Sequence, residues 1–180
     1  VLRERGPRTT ALGRENDAAD AVARREHVVL CGFGRVGQNI ARVLEAQNFE
    51  YIALDLDPVR IRAARQAGDP VVFGDSADED VLTKVGLASA SAVIITFANP
   101  AVSIGILRSI RRLRADVPVL VRTQDDSRLT DLKAAGATEV VPETFEASLM
   151  LVSHVLVQLR VPPARVLRTV SEIRGTVARA

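Results

Sequence analysis

HVVLCGFGRVGQNIARVL, residues 27–44, decides the fold. Val28 to Cys31 form a short apolar run suited to a buried strand, glycines at 32, 34 and 37 interrupt it, and a helical pattern comes next. Gly32-Phe33-Gly34-Arg35-Val36-Gly37 fits G-x-G-x-x-G. In that pattern the first glycine allows the tight strand-to-helix turn, the second lets backbone approach a pyrophosphate, and the third lets the helix pack closely on the strand. An anion there would face free amides and the positive end of the following helix. All six residues of the turn are therefore candidates for holding phosphate.

Working outward, the same strand-then-helix rhythm continues. Apolar runs at 28–31, 51–55, 71–74, 92–97, 117–123 and 138–142 are short, rich in β-branched residues and bounded by turn residues, so they read as strands. Helix-length segments lie between and after them, at 36–48, 58–67, 78–85, 100–114, 127–135 and 145–160. Asp57-Pro58 and Asn99-Pro100 place an N-cap before a proline at the first helical position, and Gly68 and Gly136 stand where left-handed C-caps fall. Strands alternating with helices imply right-handed βαβ units and a parallel sheet covered on both faces. The expected class is α/β, a Rossmann-like doubly wound parallel sheet of about six strands over residues 27–143. Residues 1–26, charged and without a sustained apolar period, read as a polar linker or weak helix.

Such a sheet gathers the loops after its strands on one rim, where ligands of open α/β sheets bind. Asp55 falls 18 residues after Gly37, near the spacing of an acid that accepts hydrogen bonds from a ribose diol. A carboxylate there favours a free 2′-hydroxyl, so NAD, NADH or an adenosine mononucleotide is expected over NADP. Leu56 follows it on the same loop. Asp75 and Ser76 share that rim within reach of an adenosine, although Ser76 or Asp78 could cap the next helix. Thr96, Phe97 and Asn99 make the loop after the fourth strand, and Arg122 ends the fifth.

Tools for chemistry are scarce. The two histidines are His27, placed at the solvent end of the first strand, and His154, within an apolar helix. Tyr51 starts a strand on the edge away from the rim. There is no Tyr-x-x-x-Lys dyad, no nucleophile elbow and no metal-spaced cluster of Cys, His and acids. The one cysteine, Cys31, lies inside a strand and reads as inert, and it suits a reducing compartment. With 3% aromatics and basic residues interleaved with acids, no nucleic-acid footprint is expected.

FEASLMLVSHVLVQL, residues 145–159, is apolar on nearly every side, more than one sheet face can cover. A second subunit is the economical partner, and packing within its own domain is the alternative. After Pro162-Pro163 the tail reads as a short amphipathic or frayed segment, so 144–180 is expected to be a dimerisation helix with a basic tail.

HVVLCGFGRVGQNIARVL, ALDLDP, VVFGDSADEDVL, LASASAVIIT and AAGATEVVPETFEASL together resemble the RCK or TrkA-N nucleotide-binding regulatory domains of potassium channels and transporters. GFGRVGQ with ETFEASL is most similar to the cytosolic C-terminal domains of Kef-type potassium/proton antiporters. The resemblance implies a non-enzymatic domain that binds NAD(H) or AMP and gates ion transport. It implies a homodimer through residues 145–160, a transmembrane antiporter unit in the same full-length chain, and a place on the cytoplasmic face of a bacterial inner membrane. A start at Val1 without methionine fits a piece of a longer protein. By family position Gly32, Gly34, Arg35 and Gly37 would hold phosphate, Asp55 the ribose, and Asp75 and Ser76 the adenosine end. Kef systems also take glutathione, for which Arg122 is the candidate carboxylate partner beside an equal reading as a salt bridge, and the resemblance leaves room for an ancillary subunit. One departure is FANP after the fourth strand, where many relatives carry an acid; Ala98-Asn99 weakens any polar contact from that loop.

Overall fold

The computed structural model describes residues 25–177 together with Ala19, Val22 and Ala23. The linker expected over 1–26 thus falls almost wholly outside the described residues. From His27 the elements run β1 (His27–Cys31), α1 (Arg35–Ala46), β2 (Tyr51–Asp55), α2 (Pro58–Ala67), β3 (Val71–Phe73), α3 (Glu79–Lys84), a 3-10 turn (Leu87–Ser89), β4 (Ala90–Ile95), α4 (Pro100–Leu113), β5 (Val119–Thr123), α5 (Leu129–Ala134), β6 (Glu139–Pro142), α6 (Glu143–Gln158) and α7 (Pro163–Val177).

All strand pairs are parallel, in the order β3-β2-β1-β4-β5-β6. The alternation within each strand explains why both faces are covered. Val29, Cys31, Ile52, Leu54, Val93 and Ile95 point to one side and pack with Leu82, Ile106, Leu107 and Ile110 of α3 and α4. Val28, Leu30 and Ala53 point to the other and pack with Ala41, Ile61 and Ala64 of α1 and α2. The order reverses between β1 and β4, which opens a crevice at their carboxyl ends.

Local signals act as their chemistry requires. Asp57, Asp78 and Asn99 cap α2, α3 and α4 with their side chains, and Gly68 ends α2 in the left-handed conformation at φ 98°. Gly136 likewise has φ 107° beside α5.

Three placements differ from the sequence reading. β4 runs from Ala90 to Ile95, which releases Thr96 and Phe97 into the edge loop. His27 is only 2% exposed; its ring lies 2.8 Å from the Arg25 carbonyl and 2.9 Å from that of Val85. The backbone at Ala23, held by the Ser89 hydroxyl at 2.7 Å, helps cover that end of the strand. The tail after the prolines forms a 15-residue helix, because Pro163 occupies its first turn, where a missing N–H costs nothing. α7 packs on α6, and Arg174 grips Glu146 through two contacts of 2.8 and 2.6 Å.

α6 buries Leu149 alone and leaves Met150 and Leu151 at 65% and 70% exposure, with Leu159 just past its end at 69%. Between α6 and α1 lies an apolar groove of about 530 Å³ floored by Ile94, Leu120 and Val141. No described helix is long and apolar enough to cross a membrane.

Candidate functional site

The glycine turn is shaped by contacts that leave no choice of residue at two positions. Gly32 has φ 100°, and a Cβ there would stand 2.5 Å from the Thr96 hydroxyl oxygen. That hydroxyl donates to the carbonyls of Cys31 and Gly32, at 3.1 and 3.0 Å, and so ties the turn to the end of β4. A Cβ on Gly37 would lie 2.3 Å from the Gly32 carbonyl oxygen. Gly34 is different: a Cβ there would meet nothing within 4 Å.

Gly34 is also the N-cap of α1, and no side chain caps that helix, in contrast to α2, α3 and α4. Its first-turn amides therefore lack the side-chain acceptor that α2, α3 and α4 carry, a lack shared by α5 and α6. Open space over uncapped amides at a positive helix end fits a phosphate group. Arg35 is exposed beside it and makes no hydrogen bond or ion pair among the described residues. Val36 is partly buried and lines the groove toward α6. The Phe33 ring is buried and stacks on Tyr51 with centroids 6.4 Å apart, which anchors the turn from below.

Asp55 ends β2, and its side chain is 6% exposed. Its Oδ2 accepts the Phe33 amide at 2.7 Å, and its Oδ1 accepts the Asp57 amide at 2.9 Å. Nη1 of Arg60 lies 2.7 Å from each oxygen. Burial pushes this carboxyl up, but the two amides and the guanidinium outweigh it, so the acid titrates below its ordinary range. The carboxylate and the glycine turn are thus one bonded unit.

The other expected residues divide. Asp75 is exposed at the rim and its Oδ1 accepts the Ala77 amide at 2.9 Å. Ser76 is 4% exposed and its hydroxyl bonds the Cys31 thiol, so it faces inward. Leu56 is 55% exposed, and Phe97 is half-buried against Gly32. Asn99 is engaged as the cap of α4, accepting from the Ala101 amide at 2.9 Å. Arg122 reaches from β5 to the Thr96 carbonyl at 2.9 Å and to Glu143 at 2.5 Å, which ties the rim to the start of α6; among the described residues its buried Nε has no partner. Sequence reasoning missed Arg60, whose only signal is a cation three residues after a capping aspartate.

Cys31, Tyr51 and His27 do not offer a titrating group at the rim. Burial pushes the Cys31 thiol up to about 12. The Tyr51 phenol is raised by burial and by its bonds to Asp69 and Glu45, at the opposite end of β2 from the rim. His27 lies at the opposite end of β1, and no group of three His, Cys, Asp or Glu among the described residues is arranged to hold a metal.

A family model described as the TrkA-N domain matches residues 28–143. A protein of Alkalimonas amylolytica that carries the name K(+) efflux antiporter KefB is 48% identical over 150 residues, which are 83% of this chain and 23% of that protein. The chain therefore spans about a quarter of that relative's length. Among solved structures, the TrkA-N domain of the Escherichia coli inner membrane protein ybaL superposes with a TM-score of 0.67 at 25% identity, covering 71% of this chain and 95% of that one. The Shewanella denitrificans Kef CTD in AMP-bound form superposes with a TM-score of 0.69 at 24% identity, over 84% and 92% of the two chains.

Proposed function

This chain belongs to the TrkA-N domain family, and from that premise we propose that it is a nucleotide-sensing regulatory domain of a monovalent cation/proton antiporter. The observation that carries the reading is the bonded unit of turn and acid. Phe33 N–H donates to Asp55 at 2.7 Å, so the phosphate cradle at Gly34 and the ribose acceptor keep a fixed relation. Phosphate over the uncapped start of α1 and a diol on Asp55 describe an adenine nucleotide, NAD(H) or AMP. The AMP in the Shewanella domain, a likeness of fold, makes AMP the first probe to use.

The roles are binding roles. Gly32 and Gly37 shape the turn, Gly34 admits the phosphate, Arg35 adds a cation beside it, Asp55 takes the ribose, and Asp75 lies toward the adenosine. We read the domain as one that binds its ligand without transforming it. A glutathione carboxylate at Arg122 would have to compete with Glu143.

Regulation needs two states that bind the ligand unequally. We read residues 27–143 as the nucleotide unit and 144–177 as the part that pairs with a second copy. Exposed Met150 and Leu151 on α6, Leu159 just past its end and the adjoining apolar groove supply the surface. The remaining length of the antiporter relative leaves room for a membrane-embedded exchanger, and we read this domain as lying on the cytoplasmic face of a bacterial membrane.

The test is calorimetric titration of the purified chain with AMP and with NADH, after refolding to remove carried-over ligand. Saturable binding that is lost in Asp55→Ala is expected. No binding of either nucleotide sinks the sensor reading, and turnover of NADH with a small carbonyl would replace it with an oxidoreductase.

A further inference from the structure

Asp55 is fully subscribed. A carboxylate offers about four lone-pair positions, and four contacts meet it: the Asp57 amide and Arg60 Nη1 on Oδ1, the Phe33 amide and the same Nη1 on Oδ2. The two amides are backbone and cannot leave without undoing the turn. The guanidinium can, since the Arg60 side chain is 37% exposed. A ribose diol arriving at Asp55 therefore meets a competitor already in place.

Arg60 also has somewhere to go. Its Nη2 lies 3.2 Å from Asp57 Oδ2, and the Asp57 side chain is 41% exposed, at the solvent edge. Its position is otherwise unfavourable, because a cation in the first turn of α2 faces the positive end of the helix, and the two aspartates offset this. The energetic reason for Arg60 to stand there is thus the pair of carboxylates.

We propose that Arg60 is an internal competitor of the ribose diol, which must shift from Asp55 onto Asp57 for a nucleotide to bind, and so sets the affinity of the sensor. The proposal rests on the nucleotide reading above. It makes a prediction of unusual sign. Deleting a cation beside an anion site ordinarily weakens anion binding through lost attraction. Deleting this one strengthens it, because the diol no longer has to displace a guanidinium from a buried acid.

The experiment is calorimetric titration of the 180-residue chain and its Arg60→Ala, Arg60→Gln and Arg60→Lys variants, with AMP and with 2′,3′-dideoxyadenosine monophosphate, which lacks the diol. Arg60→Ala and Arg60→Gln should bind AMP about three- to tenfold more tightly than the parent, with Arg60→Lys in between, while the dideoxy nucleotide, which asks nothing of Asp55, gains no affinity from any of the substitutions. The same Ala and Gln variants should melt at a lower temperature without ligand, since Asp55 loses its counter-charge. AMP affinity that is unchanged or weaker overturns the competitor role, as does equal tightening of the dideoxy nucleotide. A parent chain that prefers 2′-phosphorylated nucleotides overturns it too, by making Arg60 a phosphate clamp. Failure of the parent to bind either AMP or NADH overturns the sensor reading itself. If Arg60→Ala does not fold, the Gln and Lys variants give the same comparison.

Discussion

A Cβ placed on Gly37 would stand 2.3 Å from the carbonyl oxygen of Gly32, closer than a Cβ comes to a non-bonded atom. The two residues bracket the turn, so α1 can start where it does only while position 37 has no side chain. Gly37→Ala gains helix propensity, yet the contact is with backbone that has no room to shift. The expected net result is destabilisation of about 1–3 kcal/mol, measured as a lower midpoint in urea.

Gly34→Ala should behave in the opposite way. Its φ is −70° and the space is open, so the fold loses less than about 1 kcal/mol, the ordinary cost of alanine at an N-cap. Nucleotide binding should nevertheless fall about tenfold or more, because the new methyl occupies the approach of the phosphate. Thermal melting and AMP titration on the same sample separate the two effects; normal AMP affinity would move the phosphate away from this turn.

Asp55 links stability to pH. Its carboxyl titrates below the ordinary value in the folded chain, so it contributes stability that is fully present above the unfolded value and is lost as pH falls through the folded one. Asp55→Asn should cost about 1–3 kcal/mol near pH 7, and the gap to the parent should narrow as pH drops below about 4. Urea midpoints collected between neutral and acid pH check this, and a pH-independent gap would contradict it.

The pairing surface is testable without ligand. Leu151 is 70% exposed in the single chain, so Leu151→Glu should leave the fold of one subunit within about 0.5 kcal/mol of the parent. It should convert a dimer to a monomer in light scattering after size exclusion. A parent chain that is monomeric at high concentration would remove α6 as the dimer contact.

Much of this architecture was legible because parallel strands buried on both faces leave an unmistakable pattern. VVLC and YIALD read as strands and are strands, and the Asp-Pro and Asn-Pro pairs mark the starts of α2 and α4. The sequence also put the glycine turn and Asp55 on one rim, and the Phe33 amide bonds Asp55 there. The misses share a cause: each depends on a partner far along the chain, or on the direction a side chain takes. Ser76 lies in a rim loop, yet its hydroxyl turns inward to Cys31, 45 positions earlier. His27 looks terminal in the sequence but is buried against the Val85 carbonyl. Arg60 looks like one of many solvated helix arginines, and only the folded loop reveals that it holds Asp55. The helix from Pro163 was obscured for another reason: a proline that opens a helix and one that closes it look the same in sequence.

β6 ends at Pro142 and α6 begins at Glu143, with no residue between them. Most junctions in this chain have a loop that can absorb a change of direction; this one has no slack. Arg122 pins the same joint by bonding both Thr96 at the rim and Glu143 at the base of α6. A helix of 16 residues is roughly 24 Å long, so a tilt of about 5° at its base would carry the far end near Leu159 through about 2 Å. On the proposed reading the helix would be a lever with its fulcrum at the rim, and a shift there too small to disturb the sheet would be magnified where two subunits would meet.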